Sequence, residues 1–455
     1  MITIKNIATH AYKTGATALF VINMAWAGIP VEHWTQPSGV QVFLAQSQGI
    51  PMVDVQIDFD AGSRRDPPTQ AGLASVTASM AGKGVRAVAT EPALDENALG
   101  EAWADLGASF GGGASQDRMS FSLRSLTYPD LLAKATQLAA RQLGEPDFPA
   151  AIWQRERETL NAALKEANTR PATLAARAFN AAVYGTHPYG FEMTEATLAR
   201  ISVADMQAVY SALIQPCRAK VTLVGAVNRA QADALVTQLF LRLSGDVKTP
   251  TACAALPPVA EVTPLTQAVE KHIAFDSAQA HVLIGQPGYK RDDPDYFVLT
   301  VGNYILGGGG FVSRLTTQVR EKRGLSYSVY SYFAPGLHAG AFTLGLQTRP
   351  DQAEQAVKVS RDVVAEFVAN GPTQEELQAA KDNLIGGFAL RVDSNRKLLD
   401  NVANIAWNQL PLDYLDTWTQ QVDKVTAADI KAAFARKLQT DKMVTVVLGG
   451  AGADK

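Results

Sequence analysis

A chain of 455 residues with 47% hydrophobic and 19% charged residues exceeds one ordinary hydrophobic core and reads as a well-packed soluble protein of two or more domains. A formal net charge of -3, with no long basic run to offset it, removes nucleic acid as a class of partner. At the N-terminus, Lys5 and Lys13 precede a largely apolar run, residues 16–27, which ends in Ala25-Trp26-Ala27 before Gly28. Positive flank, short apolar core and small-x-small exit predict a secretory signal peptide over 1–27, with the mature chain starting at Gly28 in a periplasm. The run is too short for a membrane span, so no membrane contact is expected beyond export.

Further along, an apolar run from Val53 to Phe59 predicts a strand, and Gly62-Ser-Arg-Arg-Asp66-Pro-Pro68 follows it. Leu73, Val76 and Met80 fall at i, i+3 and i+7, which predicts a one-faced helix with Ser75, Ala78 and Ser79 at neighbouring positions. Taken alone, the cluster Gly111-Gly112-Gly113-Ala114-Ser115 is a flexible turn, and the alternation Met119-Ser-Phe121-Ser-Leu123 is a strand. A long helix covers 151–168, where Arg155-Glu-Arg-Glu158 reads as a solvated face. His187, in His-Pro-Tyr-Gly, reads as a structural histidine beside a turn.

An internal repeat then organises the chain. Ile201-Ser-Val-Ala-Asp205 matches Val425-Thr-Ala-Ala-Asp429, and the strand-like runs that follow end in Gly225 and Gly449, both at an offset of 224. Gly62 to Pro68 matches Gly288 to Pro294 at an offset of 226, which sets the helix carrying Ser75 and Ser79 opposite Val301 to Ile305. Between the halves, residues 249–266 are rich in Pro and Ala, as expected of an extended linker. The fold class predicted is α+β: two similar domains, 28–248 and 267–455, each a largely antiparallel sheet flanked by helices. Cys217 and Cys253 could pair in an exported protein, but two cysteines make no framework, and we read them as buried thiols.

In the second half, Gly307 to Gly310 is a hinge, a close backbone approach or a helix end, and no Lys-Ser/Thr follows to make a phosphate loop. Arg320-Glu-Lys-Arg323-Gly-Leu-Ser-Tyr327-Ser-Val-Tyr330 comes next; taken alone, Arg320 is a solvated charge and Tyr327 is packing. Gly324-Leu-Ser326-Tyr-Ser328 lacks the last glycine of a nucleophile elbow. The six histidines, His10, His33, His187, His272, His281 and His338, include no pair three or four apart, so no helical two-histidine metal site can be built.

Taken together, these stretches resemble the M16 (inverzincin) peptidase family over essentially the whole mature chain, in particular its short bacterial two-domain members that pair as heterodimers. In that family the helix at 73–80 carries His-x-x-Glu-His, two zinc ligands and the general base. Ser75, Ala78 and Ser79 stand there instead, and counting back from Pro171, between Glu156-Arg157 and His187-Pro-Tyr-Gly190, sets Ala163 at the third ligand. A serine hydroxyl is too weak an acid to ligate zinc at neutral pH and alanine has no donor, so no metal or other cofactor is expected in this chain. The resemblance makes Arg320 and Tyr327 substrate-holding, transition-state-stabilising residues, and Gly112, Gly113 and Ala114 the strand edge that pairs with substrate. It implies a zinc-free subunit serving a sister chain that carries His-x-x-Glu-His and the zinc, acting on peptide substrates. The alternatives are a non-enzymatic peptide-binding or scaffold protein, as in M16-like subunits of respiratory complexes, and an independent metalloenzyme with relocated ligands.

Overall fold

The computed structural model describes residues 28–88, 91–243 and 253–450. The stretch read as an export leader, and residues 249–252 of the linker, lie outside these. The first half supplies strands β1 (Val31–Thr35), β2 (Gln41–Gln46), β3 (Met52–Phe59), the short pair β4 (Gly84–Val85) and β5 (Leu94–Asp95), then β6 (Ser109–Ala114), β7 (Met119–Leu126) and β8 (Lys220–Gly225). Its helices are α1 (Leu73–Met80), α2 (Glu96–Asp105), α3 (Pro129–Gly144), α4 (Ala150–Ala167), α5 (Pro171–Tyr184), α6 (Glu195–Leu198), α7 (Val203–Leu213) and α8 (Arg229–Phe240). The second half supplies β9 (Val269–Ile273), β10 (Ala280–Tyr289), β11 (Val329–Phe333), β12 (Gly340–Thr348) and β13 (Val444–Leu448), with α9 (Tyr296–Asn303), α10 (Ala353–Asn370), α11 (Gln374–Gly386), α12 (Asn395–Asn408), α13 (Tyr414–Lys424) and α14 (Ala427–Lys437).

The two main sheets share one plan. They run β1-β2-β8-β3-β7-β6 and β11-β12-β10-β13-β9, so β2 corresponds to β9 and β6 to β11, with β1 as an addition. Only β2–β8 and β9–β13 are parallel; the other neighbours are antiparallel. Helices α3 and α10 start at 129 and 353, α4 and α11 at 150 and 374, α5 and α12 at 171 and 395, and α7 and α14 at 203 and 427, always 224 apart.

Local chemistry explains why those stretches repeat in sequence. Ser202 and Asp205 form a capping box at the start of α7, and Thr426 and Asp429 form the same box at α14. Gly225 and Gly449 close β8 and β13 at φ +149° and +137°, where a Cβ would fall 2.2 Å from the Met52 carbonyl oxygen and 2.6 Å from that of Gln279.

The halves also exchange helices. Helix α5, from the first half, packs on β10 and β13, where Phe179 and Val183 share a core with Val444, Val446 and Leu448. Helix α12, from the second half, packs on β8, β3 and β2 and draws Phe43, Ala45 and Val224 into the core that holds Val402 and Ile405. Burying a Phe or Val side chain stabilises by roughly 1.5–3 kcal/mol, so each exchanged face is a substantial tie. Lys220 of β8 adds a polar one, donating to the terminal carbonyls of α12 at Ala406 and Trp407 over 2.9 and 3.0 Å.

The described part of the linker is irregular but held: Arg65 donates to the Pro257 carbonyl and Arg218 to that of Ala254. One sequence expectation is corrected here. Cys217 and Cys253 are not buried thiols but a disulfide, with Cα atoms 5.7 Å apart, inside the span such a bond requires. The 3-10 turn Pro216–Arg218 presents Cys217 to the linker, a juxtaposition that spacing alone does not reveal.

Candidate functional site

Helix α1 is built as the periodicity predicts. Leu73, Val76 and Met80 are buried, while Ser75 and Ser79 are exposed one turn apart on the outer face. Its N-terminus is held by Asp66, whose carboxylate accepts from the Gly72 and Ala74 amides, each at 2.9 Å. Burial nonetheless pushes the Asp66 carboxyl up to about 6, the amide donors offsetting only part of the effect.

Ala78 is buried and its carbonyl lies under β6. A Cβ at Gly112 would stand 2.7 Å from the Phe121 ring and 3.2 Å from the Ala78 carbonyl oxygen, so residue 112 must be glycine for strand and helix to approach. Gly112, Gly113 and Ala114 all lie in β6, an extended strand hydrogen-bonded to β7 alone at the end of its sheet. Of the two readings of the glycine cluster, turn or strand, the strand is the observed one. Gly112 and Gly113 are exposed.

Ala163 is exposed on α4. Between α1 and α4, Lys83 bonds Glu96 and Glu156 at 2.6 and 3.3 Å, and Arg155 bridges the same two carboxylates at 2.6 and 2.9 Å. Hydrogen bonds from Arg155 hold both carboxyls below the usual range, so these acids are already engaged. Two serine hydroxyls, an alanine methyl at each of the other two positions and ion-paired glutamates do not fit zinc. Among the described residues, no three His, Cys, Asp or Glu side chains group to hold a metal ion.

Arg320 and Tyr327 are brought together. Arg320 lies in the last turn of a π-helical segment, Thr316–Glu321, and its guanidinium lies between the Phe311 ring at 4.7 Å and the Tyr327 ring at 4.8 Å. Tyr327 is 83% exposed and Phe311 70%. The other arginine and tyrosine of this stretch are occupied: Arg323 donates to the backbone and side-chain oxygens of Gln318, and Tyr330 lies over Gly345 and stacks on Tyr332. No hydrogen bond, ion pair or ring contact of the described residues joins Arg320 or Tyr327 to Ser75, Ser79, Ala163 or β6. The two clusters belong to different domains.

Sequence reading missed Phe311, the second face of the Arg320 sandwich; an aromatic directly after a run of four glycines was the available signal. The glycine run itself is a close approach, since a Cβ at Gly307 would meet Ser331 of β11 at 2.4 Å. It also missed that two of its motifs meet at the domain junction. Tyr189 donates to Asp117 at 2.6 Å and accepts from the His338 amide, while Asp117 also pairs with Arg64. His187 caps its own turn by accepting from the Tyr189 amide at 3.1 Å, the structural role expected; burial, then His338, holds its pKa below the ordinary value.

The pattern described as "Peptidase M16 inactive domain" matches residues 200–384, and that of "Insulinase (Peptidase family M16)" matches 41–197. A solved structure, the peptidase M16 inactive domain from Pseudomonas fluorescens, is 35% identical, with a TM-score of 0.85 over 93% of this chain and 99% of that one. The chain belongs to the M16 peptidase family. Among other M16 relatives, the non-peptidase homolog YmxG of Helicobacter pylori is 25% identical over 427 residues, 91% of this chain and 93% of its own. An uncharacterized zinc protease of Streptomyces coelicolor is 32% identical over 191 residues, 42% of this chain and 41% of the relative. The periplasmic protease PqqL from Escherichia coli shares the fold, with a TM-score of 0.76 at 19% identity over 98% of this chain and 49% of that one.

Proposed function

We propose that this chain is the zinc-free subunit of an exported, heterodimeric M16 peptidase. It lends Arg320 and Tyr327 to the zinc site of a sister chain that carries His-x-x-Glu-His. The observation that carries this reading is the contrast between the halves: serines and alanines stand at the metal positions, while a half-buried Arg320 remains stacked on an exposed Tyr327. A guanidinium held between two rings loses little freedom on gripping a substrate carbonyl or carboxylate with two donors. A phenol beside it can donate to an oxyanion that develops as a peptide bond is attacked. The open edge of β6 supports a shared peptide-binding role, because edge pairing reads backbone and needs no metal.

The test is reconstitution with the sister chain and a peptide substrate. Arg320→Ala and Tyr327→Phe are each expected to lower kcat/KM of the mixture by about 10²-fold, the usual cost of a lost transition-state donor. Cleavage by the sister chain alone as fast as by the mixture would sink the reading. The relative named a non-peptidase homolog favours a second reading, in which this chain captures peptides without catalysis. Peptide binding by the isolated chain, with no rate gain on mixing, selects it.

A further inference from the structure

The N-terminal strap crosses from one domain to the other within a few residues. Ile29 packs against the core of the second domain, and Val31 opens β1 at the edge of the first sheet. At the start of the strap, the Ile29 amide donates to Asp416 of α13 at 3.0 Å. A Cβ built on Gly28 would lie 2.8, 2.9 and 2.9 Å from Oδ2, Cγ and Oδ1 of that aspartate. The carboxylate therefore sits directly over the Gly28 Cα, and any side chain there would displace it.

Covalent geometry follows from those distances. The Gly28 nitrogen is one bond from Cα and about 2.5 Å from the built Cβ, which places it within roughly 5 Å of an Asp416 oxygen. Beside the pair lies a cavity of about 520 Å³ lined by Gly28, Ile29, Phe388, Leu415, Asp416 and Thr419, among others, so an amine there has room to turn. Among the described residues, no Lys or Arg pairs with Asp416. The sequence places a small-x-small exit, Ala25-Trp26-Ala27, immediately before this glycine.

We propose that hydrolysis of the Ala27–Gly28 bond creates an α-ammonium that pairs with Asp416 and pins the mature N-terminus to the second domain. Water is the co-reactant and a leader-removing peptidase of the exporting cell the catalyst. Ala27 leaves with the new carboxylate, and Gly28 keeps the amine, which takes up a proton at neutral pH. Before cleavage that nitrogen is a neutral amide; afterwards it carries the charge Asp416 lacks. Processing thus completes an ion pair and ties the edge of the first sheet to α13, and residue 28 is glycine because the anchor leaves no space for a Cβ. The inference rests on the export reading and is independent of catalysis in trans.

The experiment has two arms. N-terminal sequencing and intact mass of the protein recovered from the exporting cell should give Gly28 as the first residue; a different first residue overturns the proposal. On that purified protein, the rate of α-amine acylation at pH 7 is compared with Asp416→Asn. An amine paired with a carboxylate stays protonated to higher pH, so the wild-type amine should react roughly 3- to 10-fold more slowly. Equal rates overturn the anchor while leaving the processing site standing. A chain that retains Ala27 should melt about 1–3 °C lower than the processed one, and this difference should vanish in the Asp416→Asn background. A difference that persists there also overturns it. Because labelling is read on folded protein, a modest loss of stability in the variant does not blur the result.

Discussion

Asp66 illustrates how one residue couples local structure to pH. It caps α1 through two backbone amides, yet it is buried, and burial lifts its carboxyl from 3.8 to about 6. Between those values the native state holds a proton that the unfolded chain has released. Its contribution to stability is therefore fully present below pH 3.8 and lost as pH rises through about 6. The shift corresponds to roughly 3 kcal/mol. Asp66→Asn keeps an acceptor but cannot ionise, so wild type should lose about that much stability relative to the variant between pH 4 and pH 7, read from urea midpoints. A constant difference across that range would show that Asp66 titrates normally. Other single residues were legible in the sequence to different degrees. Ser75 and Ser79 could be placed because a period of 3.6 fixes which positions share a helix face. The Cys217–Cys253 bond could not, because it depends on how the linker returns to Pro216–Arg218, a tertiary fact no local pattern encodes.

At the scale of elements, the capping boxes give the clearest link from sequence to structure. Ser202–Asp205 and Thr426–Asp429 each satisfy two orphan groups at a helix start, and their spacing is what made the repeat visible. Asp205→Ala and Asp429→Ala should each cost about 1 kcal/mol. The boxes share no partner, so the double variant should cost about the sum. Denaturant titration of the three variants checks this, and strong non-additivity would mean that the two helices communicate. Strand β6 marks the limit of the same kind of reading. Three consecutive glycines suit a turn as well as a strand, and what makes them a strand is the partner β7 and the Ala78 carbonyl that only Gly112 can approach. Likewise, the π-helical segment that presents Arg320 has no recognised sequence signal, and it was the resemblance to the M16 family, not the seven-residue spacing, that singled out Arg320 and Tyr327 together.

The whole molecule differs most from its sequence pattern in the exchange of α5 and α12. The 224-residue offset shows that the halves are alike but says nothing about which half each helix serves, since an amphipathic helix packs on either sheet equally well by its periodicity. The consequence is that neither half can complete its own core. Alone, residues 28–248 would leave the face of the first sheet bearing Phe43, Ala45 and Val224 without α12, and would expose Phe179 and Val183 of α5. The buried charges on that sheet would fare worse. Asp58 is fully buried, with burial pushing its carboxyl up and Arg118 and Ser120 offsetting part of that, and Lys220 would lose the two carbonyls it caps on α12. Several large apolar side chains at about 1.5–3 kcal/mol each, together with a lysine stripped of its acceptors, match or exceed the whole stability of an ordinary domain, about 5–15 kcal/mol. Residues 28–248 and 253–455 expressed separately should therefore bind a hydrophobic dye and unfold without a cooperative transition, whereas the two fragments produced together should restore a single transition. If either fragment alone unfolds as sharply as the full chain, the exchanged helices are accessories, and the two domains are free to move apart around a bound peptide.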